Sequence, residues 1–188
     1  SQLTTFLGEI LECNCDVCNF IKLYNEKIAF EHYGEKIGCG FEDDVSGKLI
    51  FNPGVISIEN NNITLKTNIR YPISCTGEEV YKGIKDELEG TKIKLIEIEN
   101  KLPLYVPKDH FLVQKLMKVY RDETGDLESE PIVTSGGTYA RAFKNAVAFG
   151  PVLPGQELVE HQRNEYIEVS HLLRITNIYA KALYELAK

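Results

Sequence analysis

"SGGTYAR", residues 135–141, sets two adjacent glycines after a short apolar run and before a helix start. Glycine pairs weaken helix and strand alike, so local propensity does not account for Gly136 and Gly137. A glycine turn leading into Thr138 would aim backbone N–H groups at one point and let a ligand approach the main chain closely. That suits a carboxylate, a phosphate or a developing oxyanion. The Gly-x-x-x-x-Gly-Lys spacing of a phosphate loop is absent, and a tight turn alone would also use these glycines. In a second stretch, "LPGQELVEHQRNEYI", His161 stands among Glu157, Glu160 and Glu165. Histidine is the commonest metal ligand, yet one imidazole is not a metal site, and a polar surface histidine is the plainer reading. His32, His110 and His171 have no better company, and His171, in the first turn of the last helix, reads as structural. The third candidate is Arg70, beside Asn68 and just before Tyr71-Pro72. A fixed guanidinium is well made for bidentate capture of a carboxylate, although a solvated sheet face explains it equally by spacing.

A fourth group is "CNCDVC", with Cys13, Cys15 and Cys18; Cys39 and Cys75 complete an odd set of five cysteines. An odd count favours reduced thiols over a disulfide framework. A structural zinc takes four ligands, commonly as two close pairs, and only Cys39 and His32 are near in sequence. Small apolar residues at a helix–helix corner are the plainer reading of the cluster.

The elements that must position these residues follow from periodicity. Leu3, Phe6, Leu7, Ile10 and Leu11 keep helical spacing. After a break near Asn14, Asp16 is a possible cap for a helix striped by Val17, Phe20, Ile21 and Tyr24. Residues 31–54 read as a glycine-rich irregular excursion with an acidic "EDD" run. Residues 55–59 and 63–71 read as a hairpin turned at "NNN". In its second strand Ile63, Leu65, Thr67, Ile69 and Tyr71 face one way, with Thr64, Lys66, Asn68 and Arg70 on the other face. Thr76 and Glu79 make a capping box for a helix striped by Val80, Ile84 and Leu88 and ended at Gly90. Residues 92–99 read as a third strand, so hairpin, helix and strand together resemble part of a split βαβ sandwich.

Two prolines in "LPLYVP" mark a boundary near residues 102–108. Beyond it come a helix striped by Leu112, Leu116, Val119 and Tyr120 and ended by Gly125, then a short strand at 131–134. Thr138 begins a short helix, and 145–150 reads as a buried strand. Ser170 would cap a last helix striped by Leu172, Ile175, Tyr179, Ala182, Leu183 and Leu186. The alternation of helices and strands predicts α/β architecture. The net charge of −7 argues against nucleic acid as main partner. No apolar run approaches the ~20 residues of a membrane span and no signal peptide opens the chain, which points to no membrane partner and a cytoplasmic protein.

"TNIRYP", "SGGTYARAF", "AVAFGPVLPG", "HQRNEYI" and "IYAKALYELAK" occur in that order. Together they resemble the C-terminal part of bacterial broad-specificity dipeptidases, also labelled Xaa-His dipeptidases. These belong to the co-catalytic zinc exopeptidases, alongside carnosinases, acetylornithine deacetylases and succinyl-diaminopimelate desuccinylases. The likeness runs from about residue 50 to the end and is strongest from Pro131 onward. It implies that residues 1–102 are the later part of an α+β lid domain of split βαβ type. Residues 103–188 would be the C-terminal segment of the α/β catalytic domain.

In that family two zinc ions share a bridging aspartate and a water, and a glutamate base activates the water for attack on the scissile carbonyl. Carried over by motif, His161 is a zinc ligand and Arg70 holds the free C-terminal carboxylate of a dipeptide substrate. Gly136, Gly137 and Thr138 line the same pocket through backbone N–H groups. The family's His-x-Asp pair, its adjacent Glu-Glu holding the base and its later Asp ligand have no counterpart here. The resemblance therefore implies no catalytic residue in this chain, zinc absent from it, inactivity by itself, and an N-terminal half as partner. Other readings stay open: a catalytically dead interaction or dimerisation module that self-associates, or a deacylase of N-acyl amino acids.

Overall fold

The structure, a computed structural model, describes residues 2–10, 15–59, 62–134, 136–150 and 152–188. The fold is mixed α/β, as expected. The chain divides into two compact units, Ser1–Pro103 with Val133–Ser135, and Leu104–Ile132 with Gly136–Lys188.

The first unit opens with α1 (Gln2–Ile10) and α2 (Asp16–Lys27), whose first helical residue follows Cys15 as N-cap. Asn25 Nδ2 donates to the Thr4 carbonyl at 2.7 Å and ties the two helices together. Asp16 lies in the first turn of α2 rather than at its cap, where its charge still complements the helix N-terminus. Cys18, Ile21 and Tyr24 fall on the buried face. Cys18 is disulfide-bonded, which corrects the expectation of reduced thiols; Cys15, Cys39 and Cys75 remain thiols, and Cys13 lies outside the described residues.

The stretch read as an irregular excursion is ordered and supplies the deepest side chains. Among the described residues Ile37, Cys39 and Leu49 are the largest fully buried side chains. β1 (Glu42–Asp43) and β2 (Gly47–Lys48) form a small antiparallel hairpin within it. The Phe51 N–H donates to the His32 carbonyl at 2.8 Å.

β3 (Ile50–Glu59) and β4 (Asn62–Arg70) then pair antiparallel, with β3 longer than the pattern predicted and Ile50 opposite Arg70. A bulge between Pro53 and Val55 absorbs the residue that would otherwise carry β3 out of register. β4 alternates strictly, its apolar residues half-buried and Thr64, Lys66, Asn68 and Arg70 exposed. The predicted turn at residues 60–62 falls largely outside the described residues.

α3 (Gly77–Glu87) carries the predicted capping box, with the Glu79 N–H donating to Thr76 Oγ1 and the Thr76 N–H to Glu79 Oε2. It seats Val80 and Ile84 against Tyr24, Ile28, Ile37, Cys39, Leu49 and Phe51. Gly83 faces Gly38 backbone to backbone, so closely that a Cβ would collide with the Gly38 carbonyl oxygen.

The second unit is built on α4 (Phe111–Thr124) and α5 (Val169–Ala187). His110 Nδ1 accepts from the Leu112 N–H at 3.3 Å and caps α4, and Gly125 closes it in the left-handed region at φ 74°. Leu116, Val119, Leu153, Ile178 and Ala182 form its core. α5 begins at Val169 after Glu168 as N-cap, so Ser170 is not its cap. Its buried stripe is His171, Ile175, Ile178 and Ala182; Leu172 and Leu183 from the predicted stripe are exposed. Apolar residues surround much of this helix, and packing against α4 selects only one of the possible stripes.

Residues 92–99, 131–134 and 145–150, predicted as strands, form no ladder. β-type residues show that a segment suits a pleated surface, not that a partner strand is present. Other groups hold two of these segments: Tyr81 donates its hydroxyl to the Leu95 carbonyl at 3.3 Å, and Tyr179 donates to that of Phe149 at 3.0 Å. Ile98 and Ile132 are left 83% and 88% exposed, where a sheet neighbour would cover them. Among the described residues no helix is long and apolar enough to cross a membrane.

Candidate functional site

The strict alternation of β4 puts Arg70 at its C-terminal end with its side chain exposed. The chain after it is fixed from two sides. Tyr71 donates its hydroxyl to Asn100 Oδ1 at 2.7 Å, and Pro72 is buried. On the other side the β1–β2 turn reaches across to the next two residues. Ser46 Oγ accepts from the Ile73 N–H at 3.0 Å, and the Asp43 carboxylate accepts from the Ser74 N–H at 3.2 Å. Asp43 also accepts from the N–H groups of Val45 and Ser46 and from the Ser46 hydroxyl. These donors, the Ser46 N–H foremost, hold its carboxyl well below the usual carboxylate range. Arg70 thus sits exposed at a strand end whose continuation is pinned by hydrogen bonds, so its backbone is held in place.

Gly136, Gly137 and Thr138 are exposed and lead into a 3-10 helix at Tyr139–Ala142, as predicted for Thr138. Thr138 is the N-cap in extended conformation, without a side-chain cap bond. A Cβ on Gly137 would meet nothing within 4 Å. Packing inside this chain therefore does not require glycine at position 137, and the space beside it is open.

His161 is exposed, on a turn of the second unit. Its backbone lies in the left-handed region at φ 63°, as does that of Asn164, also at 63°. Few non-glycine residues adopt this conformation, and where they do a turn or a functional constraint holds them. Here the Gln162 N–H donates to the Val159 carbonyl at 3.1 Å, the His161 N–H to Glu165 Oε2 at 3.3 Å, and the Glu165 N–H to the Gln162 carbonyl at 3.3 Å. The motif His-x-x-Asn-Glu is thereby a hydrogen-bonded turn whose backbone turns left-handed at the histidine and the asparagine. His171, by contrast, is buried and paired with Gln156, the structural role its position suggested.

Arg70 lies in the first unit, and the glycine turn and His161 lie on separate loops of the second. Among the described residues no group of three or more His, Cys, Asp or Glu side chains could hold a metal ion. His161 can offer one nitrogen, and Glu165 is engaged with the His161 main chain. The described residues therefore do not by themselves make up a zinc centre. Spacing alone did not reveal the clamp of Asp43 and Ser46 on the turn after Arg70. Its signal was "DDVS": an aspartate three residues before a serine commonly folds into a side-chain-capped turn.

The two units, an α-plus-hairpin unit and a helix-pair unit with long irregular loops, make a mixed α/β chain. The comparison with known families is direct: peptidase family M20/M25/M40 matches residues 36–185, and the chain belongs to that family. "Putative dipeptidase YtjP" of Bacillus subtilis is 40% identical over 171 residues, 90% of this chain and 36% of that protein. "Putative dipeptidase SSP1012" of Staphylococcus saprophyticus and "Putative dipeptidase SH1171" of Staphylococcus haemolyticus are 38% and 37% identical, covering 98% and 94% of this chain. They are matched over 39% and 38% of their own lengths, so the chain spans well under half of the curated relatives it matches.

Proposed function

We propose that this chain is part of a zinc-dependent dipeptidase and supplies substrate-binding groups and one metal ligand to its active site. In this reading the first unit is the later part of the lid and the second is the C-terminal segment of the catalytic domain. Arg70 grips the free C-terminal carboxylate of the dipeptide, and the Gly136–Gly137–Thr138 main chain lines the pocket. His161 holds a zinc ion through one imidazole nitrogen. Zinc, when bound, supplies Lewis acidity and lowers the pKa of a coordinated water. A single imidazole binds a dication weakly, so the chain by itself stays zinc-free and inactive, and the other ligands and the base belong to polypeptide outside it. The enzyme works in the cytoplasm on small peptides.

The observation that carries this reading is the 40% identity with "Putative dipeptidase YtjP", sustained over nine-tenths of the chain. The exposed, firmly anchored position of Arg70 supports its part in it. The test is peptide hydrolysis by the polypeptide that contains this chain and the remainder of the enzyme. Dipeptides with a free C-terminus should be hydrolysed and their C-terminal amides spared. Arg70→Ala should cut kcat/KM on free dipeptides by roughly tenfold to a hundredfold, the loss of one charged hydrogen-bonded pair. Equal loss on acids and amides would remove the carboxylate clamp. Cleavage of N-acyl amino acids in preference to dipeptides would replace the dipeptidase reading by a deacylase.

A further inference from the structure

The turn that carries His161 is closed by a side chain of its own motif. The His161 N–H donates to Glu165 Oε2 at 3.3 Å. The loop shut by that bond contains both left-handed residues, His161 and Asn164, each at φ 63°. Main-chain bonds frame it, from the Gln162 N–H to the Val159 carbonyl at 3.1 Å and from the Glu165 N–H to the Gln162 carbonyl at 3.3 Å. Gln162 also donates its side-chain amide to the Leu158 carbonyl at 2.7 Å. For residues other than glycine the left-handed region lies above the right-handed one in energy, so two such residues in one turn rely on contacts across it. The Glu165 carboxylate supplies one of these contacts, directly to the histidine's own main chain.

The backbone at position 161 also sets where the ring goes. The Cβ direction is fixed by the main-chain atoms around it, so moving His161 from the left-handed to the right-handed region would swing the exposed imidazole relative to the flanking chain. A binding side chain works only when its supporting residues hold it within narrow limits of its productive geometry. We propose that Glu165 is a positioning residue for His161: its carboxylate holds the left-handed turn and with it the direction in which the imidazole is presented. This rests on the proposed role of His161 as a metal ligand and adds a second residue to that role. Glu165 acts through the His161 N–H rather than through the ring. What the turn needs at position 165 is an acceptor oxygen on a side chain long enough to reach back, which glutamine also has and alanine lacks.

The turn is read by NMR on this whole chain, isotopically labelled. A positive φ brings the amide and α protons of one residue together and gives a strong NOE between them. Wild type and Glu165→Gln should both show it at His161, and Glu165→Ala should lose it. In the polypeptide that also contains the remainder of the enzyme, zinc affinity is measured by competition with a chelator. Glu165→Ala should weaken it by about tenfold, the order seen when a partner that orients a metal ligand is removed, and Glu165→Gln should restore it. A merely structural role would lower the melting temperature of the alanine variant and leave the zinc affinity of the folded protein unchanged. A weak NOE at His161 in wild type, an undiminished NOE in Glu165→Ala, or a lost turn with unchanged zinc affinity would each overturn the proposal. If His161→Asn loses zinc while Glu165→Ala keeps it, the role of Glu165 falls and the metal-ligand reading stands. If His161→Asn keeps full zinc affinity, that reading falls and the proposal with it.

Discussion

Asp43 and Ser46 form one clamp: the carboxylate accepts from the Ser46 hydroxyl at 2.9 Å, and that hydroxyl accepts from the Ile73 N–H at 3.0 Å. The two side chains join the β1–β2 turn to the turn that follows Arg70. Their donors favour the ionised carboxyl, so its folded pKa lies below the unfolded value. For a depressed pKa the stabilisation is fully present above the unfolded value, about 3.9, and is lost as pH falls from there toward the folded pKa. Thermal melts of the wild-type chain should therefore weaken as pH drops below about 4, and Asp43→Asn should be less stable at neutral pH and lose less on acidification. Parallel pH profiles for the two proteins would show that Asp43 is not a source of the acid sensitivity.

The contact of Gly83 with Gly38 predicts a sharp steric penalty. The Gly38 carbonyl occupies the space a Cβ on Gly83 would need, and both partners are backbone, so neither can swing aside. Alanine normally improves a helix by removing glycine's conformational freedom. Here Gly83→Ala should instead destabilise the chain by about 2 kcal/mol, the order of an overpacked core. Urea unfolding of the variant measures it; a midpoint at or above wild type would mean that α3 shifts freely from the loop.

Thiol reactivity should follow burial within the first unit. Cys39 is buried, and desolvation, with the neighbouring Cys75 adding to it, pushes its thiol up to about 12. Cys75 is half-buried and its thiol is also raised, chiefly by desolvation. Iodoacetamide at pH 8 should label Cys15 first, Cys75 more slowly, and Cys39 only after denaturation, since the thiolate is the reactive form. Native-state labelling of Cys39 as fast as Cys75 would show that the core formed with Leu49 and Ile37 opens readily.

Much of this was legible from local signals. The alternation of residues 63–70 gave the face of β4 on which Arg70 lies, the Thr76–Glu79 pair gave the start of α3, and Gly125 gave the end of α4. These features depend on neighbours within a few residues. What depended on distant partners was not legible. Ile96 and Ile98 look like strand residues, yet nothing pairs with their backbone among the described residues. On α5 the choice between Leu172 and His171 for the buried side rests on where α4 lies, which periodicity does not contain. Only family likeness joins Arg70 and His161 in one candidate site, because no spacing relates them across the intervening chain. The left-handed turn at His161 and the clamp behind Arg70 became visible only with coordinates.

His161 joins an uncommon backbone to an exposed ring, and the two can be separated by substitution. At φ 63° histidine and asparagine both occupy the left-handed region several-fold more readily than most residues, and alanine does not share that preference. His161→Ala should therefore lose both turn stability and the imidazole, while His161→Asn should keep the turn and lose only the imidazole. In the polypeptide that includes the rest of the enzyme, both variants should show lower zinc content and activity, measured by metal analysis and dipeptide hydrolysis on the same samples. Only the alanine variant should also unfold at lower temperature. If the asparagine variant kept full zinc and full activity, the ring would have no part in metal binding, and the left-handed turn would stand as a structural feature of the loop. If it lost metal while its melting matched wild type, the loss would belong to the imidazole, because the turn that carries it would be unchanged.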